Sequence, residues 1–182
     1  MEIGSSRSRS VAVVALACAA LLAPIALAGA SPHARAAGVA ACTSGHLEVW
    51  LGDGEGGGTA GRTYYPIEFS NVGHASCTLY GYPGVSAWGL GGKQIGLPAT
   101  KSGAAHSSVT ITPGATAHAL LAIADWGAIC SKGVSAFGLK VYPPGQKLAQ
   151  TFSFPLTVCA SRSVLVSGPL RAGVGIPGYT NS

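Results

Sequence analysis

Residues 71–85 read "NVGHASCTLYGYPGV". The stretch opens on the turn formers Asn71 and Gly73, closes on Pro83 and Gly84, and holds His74 and Cys77 between them. A histidine and a cysteine so close in sequence fit a nucleophile and its base, a metal site or a redox centre. They fit equally the punctuation between two strands of an exported domain, with Cys77 as half of a disulfide. The flanks favour the second reading. Upstream, "RTYYPIEFS" (62–70) points Tyr65, Ile67 and Phe69 one way and Tyr64, Pro66 and Glu68 the other. Downstream, "PGVSAWGL" (83–90) starts a new run after its turn residues. Period-two alternation bounded by Gly, Pro and Asn is the strand signature.

The same pattern recurs along the chain. "HLEVWLG" (46–52) sets Leu47, Val49 and Leu51 against Glu48 and Trp50. "SSVTIT" (107–112) buries Val109 and Ile111, and the more uniformly apolar "TAHALLAIADW" (116–126) suits a central strand. "SAFGLKVY" (135–142) alternates Phe137, Leu139 and Val141 against Gly138, Lys140 and Tyr142. "TFSFPL" (151–156) and "RSVLVS" (162–167) complete the set. No stretch sustains helical spacing for three turns. The expectation is an all-β protein, an antiparallel immunoglobulin-like β-sandwich of about 7–9 strands. Pro66 cannot donate to a ladder, which predicts an edge strand or a bulge there. "GDGEGGGTAG" (52–61) reads as a flexible hairpin loop, and the tail from Arg171 as a short edge strand or a partly disordered end.

The front of the chain has a different character. Arg7 and Arg9 precede the apolar run Val11–Ala28, and small residues follow. That order is a secretory signal peptide and its cleavage region over residues 1–36, leaving 37–182 as a single β-sandwich domain with its core at about 41–168. Cys18 lacks the leucine of a lipidation motif, and the apolar run continues past it, so it reads as part of the signal. No membrane span is expected after cleavage, and the protein is placed as secreted or cell-wall associated. Over 37–182, eight basic residues face five acidic ones, and they are scattered singly. A nucleic-acid footprint needs them clustered, so no nucleic-acid partner is expected.

Four cysteines remain after the signal: Cys42, Cys77, Cys130 and Cys159. In an oxidising compartment an even count predicts disulfides. If the strands on either side of the Gly-rich loop form a hairpin, Cys42 and Cys77 meet at its open end. The same geometry around "PPG" (143–145) brings Cys130 to Cys159. Of the three connectivities, hairpin geometry favours Cys42–Cys77 with Cys130–Cys159.

Chemistry-bearing patterns are sparse. Gly52, Gly54 and Gly57 match a dinucleotide fingerprint, but a strand follows where the fingerprint needs a helix. Asp53 and Glu55 fall short of the oxygen count that calcium takes. His46, His74, His106 and His118 show no metal-ligand spacing, and no G-x-S-x-G elbow occurs. Glu48 and Glu68 look like outward strand residues, not a catalytic pair. No catalytic residue, metal or cofactor is expected, and the reading is a non-enzyme. Aromatic side chains are the best sign of a binding surface, because exposed rings stack on sugars or anchor proteins. The candidates are Trp50, Tyr80, Tyr82 and Trp88.

"ACTSGHLEVWLG" (41–52), "YYPIEFSNVGHASCTLYGYPGVSAWGLGGKQIG" (64–96), "VTITPGATAHALL" (109–121) and "LKVYPPG" (139–145) together resemble the actinobacterial domain of unknown function 4232. The resemblance spans about residues 41–168, and its most specific part runs from "FSNVG" to "CTLYGYPGV". It implies an exported or lipid-anchored β-sandwich with no established activity and no site residues to transfer. Many members look like lipoproteins, and this chain departs from them at its front end. The functional expectation is a non-catalytic binding or interaction domain of the cell envelope or exterior, with an extracellular protein or glycan as partner. The alternatives are a cell-wall glycan-binding module using exposed aromatics and a hydrolase with a cryptic site.

Overall fold

The computed structural model describes residues 38–52 and 61–175. The signal-peptide reading, Asp53 and Glu55 with the loop around them, and residues 176–182 lie outside the described residues. Twelve strands follow in chain order: β1 (Leu47–Leu51), β2 (Arg62–Asn71), β3 (Cys77–Tyr80), β4 (Gly84–Trp88), β5 (Gln94–Ile95), β6 (Thr100–Lys101), β7 (Ser108–Ile111), β8 (Thr116–Ala124), β9 (Gly133–Tyr142), β10 (Gln150–Cys159), β11 (Leu165–Ser167) and β12 (Arg171–Ala172). Among the described residues they form three sheets. The largest runs β1-β2-β8-β11-β6 with β12 beside β8, the second runs β10-β9-β4-β5, and β3 pairs with β7 alone.

The all-β expectation holds, and both the strand count and the purely antiparallel arrangement need correction. β11 and β6 run parallel, Val166 opposite Thr100 and Ser167 opposite Lys101. β5, β6 and β12 have two residues each, too short to carry a readable alternation. Cys77 is not punctuation. It opens β3, which pairs with β7 from Cys77–Ile111 to Tyr80–Ser108.

Long alternating segments become strands because one face can be buried. Leu47 and Val49 of β1, Ile67 and Phe69 of β2, and Ala117, Ala119 and Leu121 of β8 line one side of the large sheet. They meet Val85 and Ala87 of β4, Leu139 and Val141 of β9, and Leu79, Val109 and Ile111 of the small sheet in one core. Each fully buried aliphatic side chain contributes roughly 1.5–3 kcal/mol. Both disulfides belong to this core, through Cys42, Cys77 and Cys159, with Cys130 packed against it. Cys42–Cys77 has a Cα separation of 4.8 Å and Cys130–Cys159 one of 6.1 Å.

Pro66 corrects a second expectation. β2 is interior, flanked by β1 and β8, and its register with β8 runs unbroken from Arg62–Ala124 to Ser70–Thr116. The Pro66 carbonyl accepts from Gly52 N–H at 2.9 Å, on the β1 side. In an antiparallel ladder a residue's N and O point the same way. The missing donor therefore faces Gly52, just past the end of β1, and costs no bond to β8.

β9 corrects a third. Leu139 and Val141 are buried as expected, but Phe137 is 49% exposed while Ala136 and Gly138 are buried. Opposite them, Ser153 faces Gly138 and Leu156 faces Ala136, so Phe154 and Pro155 together oppose Phe137. This β-bulge, placed where Pro155 would lack a ladder donor, turns the strand and breaks its alternation.

The outer edge of β1 is not left open. Gln150 accepts from Val49 N–H at 3.1 Å and donates to Leu47 O at 2.8 Å. Gln146 donates to Cys42 O at 2.8 Å and accepts from Ser44 N–H at 3.3 Å. Two side-chain amides thus stand in for a neighbouring strand and tie the large sheet to the β9–β10 hairpin.

Candidate functional site

β3 and β4 are joined through Gly81, Tyr82 and Pro83, and Gly81 has φ of 101°, which favours glycine. The turn sends Tyr80 and Tyr82 out together. Tyr80 is 63% exposed and Tyr82 is half-buried. The ring of His106 lies against both, with centroid separations of 4.8 Å to Tyr80 and 5.1 Å to Tyr82. The interplanar angles are 58° and 61°, so the three rings form a twisted platform and not a flat stack.

His106 belongs to the connection between β6 and β7, and that connection is pinned at several points. Ser102 N–H donates to Ser167 O at 2.9 Å, the Tyr82 hydroxyl donates to Ala104 O, and Arg171 donates to Ala105 O at 3.2 Å. Lys101 Nζ stands 5.6 Å from the centroid of the Tyr82 ring, within cation–π range. The rings and the pinned backbone border a shallow concavity of about 580 Å³. It offers aromatic faces, a phenol, an imidazole and an ammonium. Such a set can stack on a planar or pyranose face and hydrogen-bond to hydroxyl groups.

The four aromatic candidates do not form one site. Tyr80 and Tyr82 come together. Trp50 stands on β1 opposite Glu68, with its Nε1 donating to Ser70 Oγ at 3.2 Å. Trp88 lies in the other sheet, edge-on to Phe137 with centroids 6.2 Å apart, and its buried Nε1 has no partner among the described residues. His106 and Lys101 were not singled out as part of a site. They lie 19 to 26 positions from the tyrosines in sequence, and the pairings of β3 with β7 and of β6 with β11 bring them near.

His74 and Cys77 separate chemically. The Cys77 sulfur is bonded to Cys42, so it offers no thiolate. His74 shares a small pocket with His46 and Asn71. Among the described residues no three His, Cys, Asp or Glu side chains converge as a metal site requires. Asn71 explains the turn instead. It is buried, donates to Ala75 O at 2.9 Å and Ile111 O at 3.1 Å, and accepts from Gly73 N–H at 2.9 Å.

Glu68 faces outward from the sheet, as expected, and the chain at Gly173–Gly175 crosses over it and leaves it buried. One oxygen accepts from Gly175 N–H at 2.8 Å, and the other has no partner among the described residues. Burial holds its carboxyl above the ordinary value of 4.5, against the opposing pull of the Gly175 N–H and of His118.

The sequence description of the family Domain of unknown function (DUF4232) matches residues 42–171. The chain belongs to this family. The DUF4232 match begins at Cys42 of the first disulfide and ends at Arg171 of β12, so both disulfides and the whole tyrosine platform fall inside it. No curated protein and no solved structure gives a significant match. Disulfides of this kind suggest an extracellular protein. Among the described residues no helix is long and apolar enough to cross a membrane.

Proposed function

We propose that this DUF4232 protein is a non-catalytic binding domain, secreted or cell-wall associated, whose platform of Tyr80, His106 and Tyr82 contacts a glycan. One observation carries the reading: the Tyr80 ring is largely exposed and is braced by the His106 ring. An exposed ring that nothing braces loses rotamer entropy on binding, and a braced ring has already given it up. Lys101 beside Tyr82 biases the surface toward saccharides that carry acid groups. The scaffold behind the platform is read as an immunoglobulin-like sandwich, supported by the shared core of the large and second sheets.

The test is titration of the isotope-labelled protein with soluble cell-wall polysaccharide fragments, followed by NMR. Shifts centred on Tyr80, Tyr82 and His106 are expected, with affinity lowered at least tenfold in Tyr80→Ala and melting temperature unchanged. Saturable binding that Tyr80→Ala leaves intact would refute the assignment of this surface. N-terminal sequencing of the exported protein checks cleavage near Ala36.

A further inference from the structure

A second concavity, of about 320 Å³, lies on the outer face of the large sheet, over β8. Its floor is Leu120 and Val166, its wall is Tyr64, and Arg62 and Arg171 line it from different strands. The register explains the arrangement. Tyr64 is opposite Ala122, Ala122 is opposite Val166, and Arg62 and Arg171 fall opposite Ala124 and His118. Going along β8 toward its end, the outward row therefore reads basic (Arg171), apolar (Leu120, Val166), basic (Arg62).

Three properties of this groove point to an occupant. The floor is unusually open, since Leu120 on a central strand is 44% exposed. The lining includes two guanidinium groups and no carboxylate. Arg171 gives one donor to Ala105 O and has others to spare, and no protein acceptor among the described residues meets the Arg62 guanidinium. The nearby acid, Glu68, is turned to Gly175 N–H beneath the crossing chain.

We propose that this groove binds an organic carboxylate with an apolar body. Guanidinium takes a carboxylate through two parallel hydrogen bonds, which a bare cation does not. A small inorganic anion would satisfy the arginines and leave Leu120 and Val166 wet. A neutral apolar molecule would cover the floor and leave the arginines without a counter-charge. The volume is at the small end of ligand pockets, which fits a single short chain better than a polymer.

The test uses the purified protein with four probes: sodium octanoate, sodium acetate, octylammonium chloride and inorganic phosphate, followed by calorimetry and NMR. Octanoate is expected to bind saturably, to shift the resonances of Leu120 and Val166, and to bind at least tenfold more tightly than any other probe. Arg62→Met is expected to weaken octanoate at least fivefold, and Leu120→Asp to abolish it, with both variants keeping the wild-type melting temperature. Tyr80→Ala is expected to leave octanoate binding unchanged, which separates this site from the glycan platform. Equal binding of octylammonium and octanoate overturns the proposal, as does octanoate affinity that survives Leu120→Asp or falls in Tyr80→Ala. No octanoate binding at all overturns it outright.

Discussion

Glu68 of β2 and His118 of β8 are direct cross-strand partners on the outer face of the large sheet, and the same stretch of chain is bonded to both. Gly175 N–H donates to the Glu68 carboxylate, and His118 Nδ1 meets Gly173 O at 2.8 Å. The ionisable groups around the acid are His118 and, beyond it, Arg171; the β1 residue opposite is the uncharged Trp50. A carboxyl in this setting couples folding to pH.

The sign follows from proton counting. Burial raises the folded-state value of Glu68 above 4.5, while the unfolded chain titrates near the ordinary value. Across that window the folded state holds more protons, so this residue's contribution falls as pH rises from the ordinary value through the raised one. Glu68→Gln removes the charge and keeps an oxygen for Gly175 N–H. The stability of Glu68→Gln relative to wild type is expected to rise with pH from about pH 4 and then level off. Urea denaturation at a series of pH values measures it, and a difference that does not change with pH refutes the coupling.

Gly138 is a packing prediction. Its backbone lies so close to β10 and Trp88 that a methyl group would overlap the Phe152 carbonyl and stand 2.8 Å from Trp88 Nε1. Relieving that overlap means separating β9 from its neighbours. Gly138→Ala is expected to cost about 2–3 kcal/mol, as overpacked cores do. Gly45→Ala, where an added Cβ meets nothing within 4 Å, is the control and is expected within about 0.5 kcal/mol of wild type. Chemical denaturation of the pair checks both.

Gln150 is a prediction about an edge. Its amide satisfies one donor and one acceptor of β1, both otherwise left to solvent or to another chain. Gln150→Ala is expected to cost about 1–2 kcal/mol from two lost hydrogen bonds. It is also expected to raise self-association, because an uncovered strand edge templates pairing. Analytical ultracentrifugation and denaturation together test this, and a variant with wild-type stability and no association counts against the role.

How much of this was legible beforehand depends on range. Alternation exposed β1, β2, β7 and β10, and uniform apolarity exposed β8, because these patterns are local and long enough to read. Hairpin geometry brought the four cysteines together in the pairs the structure contains, since strand neighbours in sequence are neighbours in space. The burial of Glu68 and the exposure of Phe137 were not legible because their surroundings come from elsewhere: a crossing chain covers Glu68, and a bulge in β10 lies opposite Phe137. The tyrosine platform was half legible. Tyr80 and Tyr82 stood out by type, but His106 and Lys101 reach them only through strand pairing, which no spacing rule encodes. The arginine groove was invisible for the same reason, with Arg62 and Arg171 brought to one face by β8.

The disulfides allow a prediction that separates entropy from packing. Cys42–Cys77 spans 35 residues and Cys130–Cys159 spans 29. In the chain-entropy model each closure is worth roughly 3–4 kcal/mol, and the loop lengths differ too little to rank them. Burial does rank them. Cys42 and Cys77 are both buried in the core, whereas of the second pair Cys159 is buried and Cys130 only partly covered. Replacing Cys42 and Cys77 with alanine is therefore expected to cost somewhat more than replacing Cys130 and Cys159, because it hollows the core at two positions instead of one. Cys130 N–H bonds to Trp126 O at 2.9 Å, so opening the second bridge is expected to change Trp126 fluorescence at denaturant concentrations where the rest of the fold persists. Equal losses for the two double variants would mean that loop closure alone sets their worth.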